Sequence, residues 1–249
     1  MIRSNLVKAA LAAAAAAITA AHYFGVFEDG NDDSYAPSSL ISDPHSPLKN
    51  MKTLWLGSSF TGGLRSKGHG IAEYVTEQNG MHMTRMDAVS GSPLPSSAQN
   101  SGVRRLQHNF AGVTSADLFF LEISPEDAGT ERGRISGSGN RFSMNTGTYC
   151  GALEYCILYA RQMWNPRIIL FTHPYSNDSG YESLIKDAQR IAEIYHVDLI
   201  DLYHDRTLLN PDPVRRKFWM NEGLPTMAGC RDWITPHFSE QLKKIIGGQ

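Results

Sequence analysis

A short apolar run that stops at Gly57-Ser58-Ser59 puts a hydroxyl where chemistry could occur. A serine hydroxyl is a poor nucleophile at neutral pH. It needs a base within hydrogen-bond reach and N–H donors where an oxyanion would form. Glycine permits a tight exit from a strand, and the backbone N–H groups that follow point into the same space. The same residues also suit a turn or helix cap whose hydroxyls bond the backbone, so the motif takes its meaning from its surroundings. Nine histidines are available as a base. His173 closes a later apolar run, whereas His69, His82, His108, His196 and His204 read as structural imidazoles.

The elements that must position these groups are legible in the apolar pattern. Apolar runs at 53–56, 83–89, 118–123, 168–172 and 197–202 alternate with helical patterns at 71–78, 149–163, 181–195 and 238–246. Short apolar strands without alternating polarity, separated by helices, predict an α/β fold. Its form is a three-layer α/β/α sandwich around a central, mostly parallel five-stranded sheet. Ligands of such sheets sit outside the carboxyl ends of the strands. At those ends stand Ser58-Ser59, then Ser90-Gly91-Ser92, Ser124-Pro125-Glu126-Asp127, His173 with Tyr175, Asn177 and Asp178, and Asp201. Tyr175, Asn177 and Asp178 either line the cleft or form an ordinary turn. Residues 128–147, rich in Gly, Ser and Asn, predict a mobile loop over the same face. Trp55, Phe119 and Phe120 read as core. Arg104-Arg105 and Arg215-Arg216-Lys217 read as solvated helix faces, the alternative being a grip on an anionic substrate.

Twenty-three Lys and Arg against 25 Asp and Glu leave a net charge of −2, which provides no global field to hold nucleic acid. Arg3 and Lys8 precede the small apolar run Ala9 to Ala21, and an acidic stretch follows. Residues 1–27 therefore read as a signal peptide or an N-terminal membrane anchor, which makes the chain exported: periplasmic, extracellular or tethered. Residues 28–50, rich in Asp, Ser and Pro, read as a disordered linker, and residues 51–249 as one domain. Cys150, Cys156 and Cys230 are too few for a disulfide framework. Cys150 and Cys156 on one helix are too far apart to bridge; Cys230 either pairs with one of them or all three stay reduced. No zinc-type spacing occurs, and no cofactor is implied.

The segment TLWLGSSFTGG at 53–63 resembles the first conserved block of SGNH/GDSL hydrolases, in the branch written Gly-Asn-Ser-Tyr/Phe-Thr, with Ser59 in the nucleophile's place. The resemblance continues through AVSGSPL at 88–94, ADLFFLEISPED at 116–127 and DWITPHFSEQLKKII at 232–246, in the family's order. It implies that the Gly91 N–H helps to line an oxyanion hole and that a closing Asp-x-x-His supplies the base. Two positions depart from the pattern. Glu126 stands where the family has an asparagine donor, and an ionised carboxylate there would repel an oxyanion. Thr235 stands where the histidine belongs, with His237 two residues late. Either His237 is the base with Asp232 orienting it, or His173 serves from the substrate side, or the base is lost.

The implied function is an exported serine esterase or acyl hydrolase acting on an ester or acetyl group of a small molecule, glycan or lipid. It would touch a membrane only through an N-terminal anchor. Two alternatives remain: a catalytically inactive binding module of the same fold at the cell envelope, and a flavodoxin-like phosphate or FMN binder that uses the hydroxyls of 58–61.

Overall fold

The structure, a computed structural model, describes residues 2–26, 28–209 and 211–248. Helix α1 (Ile2–Tyr23) precedes the sheet-bearing part of the chain. Met1 and Phe27 of the expected leader lie outside the described residues. Among the described residues no helix is long and apolar enough to cross a membrane.

Five parallel strands form the central sheet: β1 (Lys52–Gly57), β2 (His82–Ala88), β3 (Leu118–Ile123), β4 (Arg167–Thr172) and β5 (Asp198–Ile200). Their spatial order is β2-β1-β3-β4-β5. The chain therefore winds away from β1 in both directions, which opens a crevice at the carboxyl end of β1. Strands buried on both faces cannot alternate polar and apolar residues, which is why β1, β3 and β4 read as near-continuous apolar runs.

The side chains divide between two cores. Leu54, Leu56, Phe119, Leu121 and Leu170 pack beneath α4 (Gly102–Asn109), α5 (Tyr149–Met163) and α6 (Tyr181–Tyr195). On the other face Trp55, Phe120 and Phe171 meet α3 (Ile71–Gln78) and α9 (Thr235–Gly247). Trp55 stacks on Phe120 with ring centroids 3.8 Å apart, and Phe238 of α9 closes over both at 6.1 Å. A one-turn helix, α2 (Ser59–Gly62), follows β1 directly. Between β5 and α9 lie α7 (Arg206–Leu209), α8 (Pro213–Trp219) and a small hairpin of β6 (Met220–Asn221) and β7 (Leu224–Pro225). Asp212 caps α8 by accepting from the N–H groups of Val214 and Arg215, with Pro213 at the first helical position.

Three expectations need correction. Residues 28–50 are packed rather than disordered. The Asn31 side chain donates to the carbonyls of Gly25 and Arg65 and accepts from Met227 N, Tyr35 O accepts from the Tyr74 hydroxyl, and Leu48 is fully buried. The segment lacks an apolar period because scattered contacts fix it, polar ones together with single apolar side chains such as Tyr35, Leu40 and Leu48, rather than an apolar stripe. Residues 128–147 are likewise pinned, by Glu154 accepting from the N–H groups of Ser136 and Gly137 and by the Arg132–Asp187 ion pair. Arg105 is not a solvated charge: buried, it pairs with Asp87 and donates to Gly57 O, tying β1 to the end of β2. The three cysteines are free and buried, and burial raises their thiols, Cys150 to about 12.

Candidate active site

Gly57 ends β1 where no side chain would fit, since a Cβ there would run into the Thr61 side chain and the Glu122 carboxylate. Ser58 turns the chain, and Ser59 opens α2, which Gly63 stops in a left-handed conformation at φ 74°. Ser59 is 5% exposed, and its hydroxyl points to a cavity of about 260 Å³, which it shares with Pro125, Glu126, His173, Tyr175 and Asn177, among others. Each wall comes from the carboxyl end of a strand, apart from Glu222, Gly223 and Leu224 of the hairpin.

Beneath this cavity lies a hydrogen-bonded Glu–His pair that reading the sequence missed. Glu122, on β3, faces the same side as Phe120 and is fully buried. Its Oε1 lies 2.6 Å from His173 Nε2. Its Oε2 accepts from Ser58 N at 2.7 Å, from Thr61 N at 3.1 Å and from the Thr61 hydroxyl. Burial alone would push this carboxyl up. The His173 imidazole and the donors of Ser58 and Thr61 outweigh burial and hold it below the usual carboxylate range. One ionised carboxylate therefore fixes both the turn that carries Ser59 and the orientation of His173. Nε2 is taken up by Glu122, His173 lines the same cavity as Ser59, and no hydrogen bond joins the His173 ring to the Ser59 hydroxyl. His173 is 4% exposed, its ring leaning on Phe60 at 4.9 Å, and its backbone N–H is held by the Tyr181 hydroxyl. The signal for Glu122 was present in the sequence, because a glutamate inside the strand LFFLEI must find partners if the strand is buried.

The other expected site residues are distributed unevenly. Glu126 is beside Ser59, its Oε1 3.4 Å from the hydroxyl as an acceptor. Tyr175 and Asn177 line the cavity, with the Tyr175 hydroxyl bonded to Asn177 Oδ1. Asp178 instead accepts from Gly180 N in a turn. Gly91 adopts φ 70° on an exposed turn after β2 and is not part of the cavity wall. The Asp232–His237 pairing does not form. Asp232 is exposed and bonded side-on to Arg231, while His237 Nδ1 meets the Thr207 hydroxyl at 3.1 Å and lies 3.9 Å from Asp205. Neither residue lines the Ser59 cavity. The physical reason is helical continuity. A wide π-type turn, Gly229–Ile234, runs straight into α9, so Thr235 is buried in the place of the family histidine and His237 projects beside α7.

No family model matches the sequence, and no curated protein is significantly similar to it. Solved structures do resemble the fold. A protein described as a GDSL-like lipase from Bacteroides ovatus superposes with a TM-score of 0.59 at 17% identity, covering 81% of this chain and 100% of that one. Another described as a GDSL-like lipase, from Bacteroides uniformis, gives 0.56 at 16% identity over 80% and 97%. A family two carbohydrate esterase from Clostridium thermocellum, solved with cellohexaose, gives 0.58 at 13% identity over 83% of this chain and 67% of that one.

Proposed function

We propose that this chain, which has the SGNH/GDSL hydrolase fold, is an exported serine esterase whose nucleophile is Ser59 and whose base is His173, oriented by Glu122. The observation that carries this reading is one imidazole with two duties: His173 lines the Ser59 cavity while its Nε2 is held by a buried carboxylate. This is the division of labour of a Ser-His-acid triad, with a glutamate from the third strand as the acid. Ser59 attacks the ester carbonyl and His173 takes its proton. The tetrahedral intermediate then collapses, His173 returns the proton to the departing alcohol, and water releases the acyl group by the same route. The Ser59 N–H is not among the donors drawn off by Glu122. The Asn177 amide, its oxygen engaged by Tyr175, has its NH₂ free to face a developing oxyanion.

An acyl or acetyl group on a glycan or lipid fits an open cavity of mixed polar and apolar lining, and structural neighbours include a carbohydrate esterase and an acetyl xylan esterase. Export is supported by the Ala-rich segment after Arg3 and Lys8, removed or kept as an anchor; recovery of the full-length chain from the cytoplasm alone would remove that part of the reading. Activity is tested with p-nitrophenyl acetate and a fluorophosphonate probe. Wild type is expected to label, Ser59→Ala and His173→Gln to lose roughly a thousandfold or more in kcat/KM, and His237→Ala to stay close to wild type. A wild type that never labels would favour the second reading, an inactive binding module. The carboxylate of Glu126 beside the Ser59 hydroxyl is the observation on that side.

A further inference from the structure

A second cavity, of about 680 Å³, adjoins that of Ser59 and shares four of its walls: Tyr175, Asn177, Glu222 and Gly223. Its far side is α8, which contributes Arg216 and Lys217. The hairpin between β6 and β7 is the partition, its turn set by Glu222 and Gly223 at φ 48° and 84°.

The charges here do not cancel. Glu222, the carboxylate on the shared wall, is engaged by Arg65 from outside. Among the described residues neither Arg216 nor Lys217 has a carboxylate within ion-pair distance; Arg216 lies over the Tyr175 ring, 5.1 Å from its centroid. Two exposed cations thus face a roomy cavity beside the nucleophile, on a chain whose net charge is −2. A solvated helix face needs no such cavity. A guanidinium held over an aromatic ring is positioned to meet a planar anion.

We infer that this cavity is a subsite for an anionic group, a carboxylate or phosphate, carried by the sugar whose ester is presented to Ser59. The inference rests on the esterase reading of the first cavity. The lining around the cations is Tyr175, Asn177 and the hairpin backbone, which suits a hydroxyl-rich ring. The substrate class that follows is an acylated acidic glycan.

Direct binding separates this claim from catalysis. The Ser59→Ala protein is titrated by calorimetry with an acetylated oligogalacturonide, an acetylated sugar phosphate and an acetylated xylo-oligosaccharide. The first or second is expected to bind more tightly than the neutral third, and the stronger of the two identifies the anion. Arg216→Ala with Lys217→Ala should weaken the anionic ligand about tenfold and leave the neutral one unchanged. Arg215→Ala is the control, since that residue lies over Trp219 and not on the cavity. Thermal melts of each variant report folding. Equal binding of acidic and neutral ligands, or an Arg215→Ala effect as large as the double variant's, overturns the subsite. Loss of esterase activity on every substrate with the charge preference intact would overturn the esterase reading alone.

Discussion

Two acids leave the third strand within five residues of each other and are held in opposite states. Glu122 collects His173 and three donors and stays ionised. Asp127 is as deeply buried, yet only its Oδ1 is served, by Leu94 N at 2.7 Å; Oδ2 has no partner. Burial first, then the nearby carboxylates of Glu122 and Glu126, raise Asp127 to about 7 against the Leu94 hydrogen bond. The folded state therefore holds a proton that the unfolded chain releases near pH 4. Between those values the folded state binds more protons, so this group's contribution is fully present below pH 4 and is lost as pH rises through 7. Asp127→Asn keeps the acceptor for Leu94 and removes the charge. It should melt several degrees above wild type at pH 8, an effect of a few kcal/mol at most, with the gap closing toward pH 4. Equal melting temperatures at pH 8 would mean that the acid is ionised without strain. At this scale the sequence exposed Ser59, Glu126 and His173, because each follows an apolar strand. It did not show that His237 stands away from the Ser59 cavity, because the closing motif fixes spacing along the chain but not which way a helix carries the ring.

Strands β1, β3 and β4 and helices α5 and α6 were readable because each is an apolar run or stripe of adequate length. The α8 helix and the β6–β7 hairpin were not. Strands of two residues have no period to detect, and seven residues of helix with three consecutive cations read as surface. Yet this stretch supplies the hairpin wall of the Ser59 cavity and the cations of its neighbour. The join of β1 to α2 is tightly determined. Gly57→Ala would press a methyl group against both Thr61 and Glu122, the contacts that set the turn and orient His173. The expected cost is about 1–3 kcal/mol in stability, as for overpacking, with a loss of esterase activity far larger than the fraction unfolded accounts for. An alanine variant with unchanged melting temperature and turnover would show that the turn tolerates relaxation.

For the molecule as a whole, the domain limit drawn at residue 51 falls inside the packed structure. The parallel sheet beyond it was legible, since burial on both faces writes itself into sequence as continuous apolar runs. The segment 28–50 was not, because it is held by single scattered contacts, polar and apolar, that leave no period. Asn31 is the clearest of these. Fully buried, it joins the carbonyl of Gly25 beyond α1, the carbonyl of Arg65 after α2, and the N–H of Met227 ahead of α9, so one side chain ties three distant parts of the chain. Replacing it by alanine leaves those backbone groups without their partner in a site closed to solvent, a cost of roughly 2–3 kcal/mol. For a chain of this size that lowers the melting temperature by roughly 5–10 °C. If 28–50 were instead a loose tether, Asn31→Ala would melt with the wild type, and hydrogen exchange at Met227 N–H would be as fast before the substitution as after it.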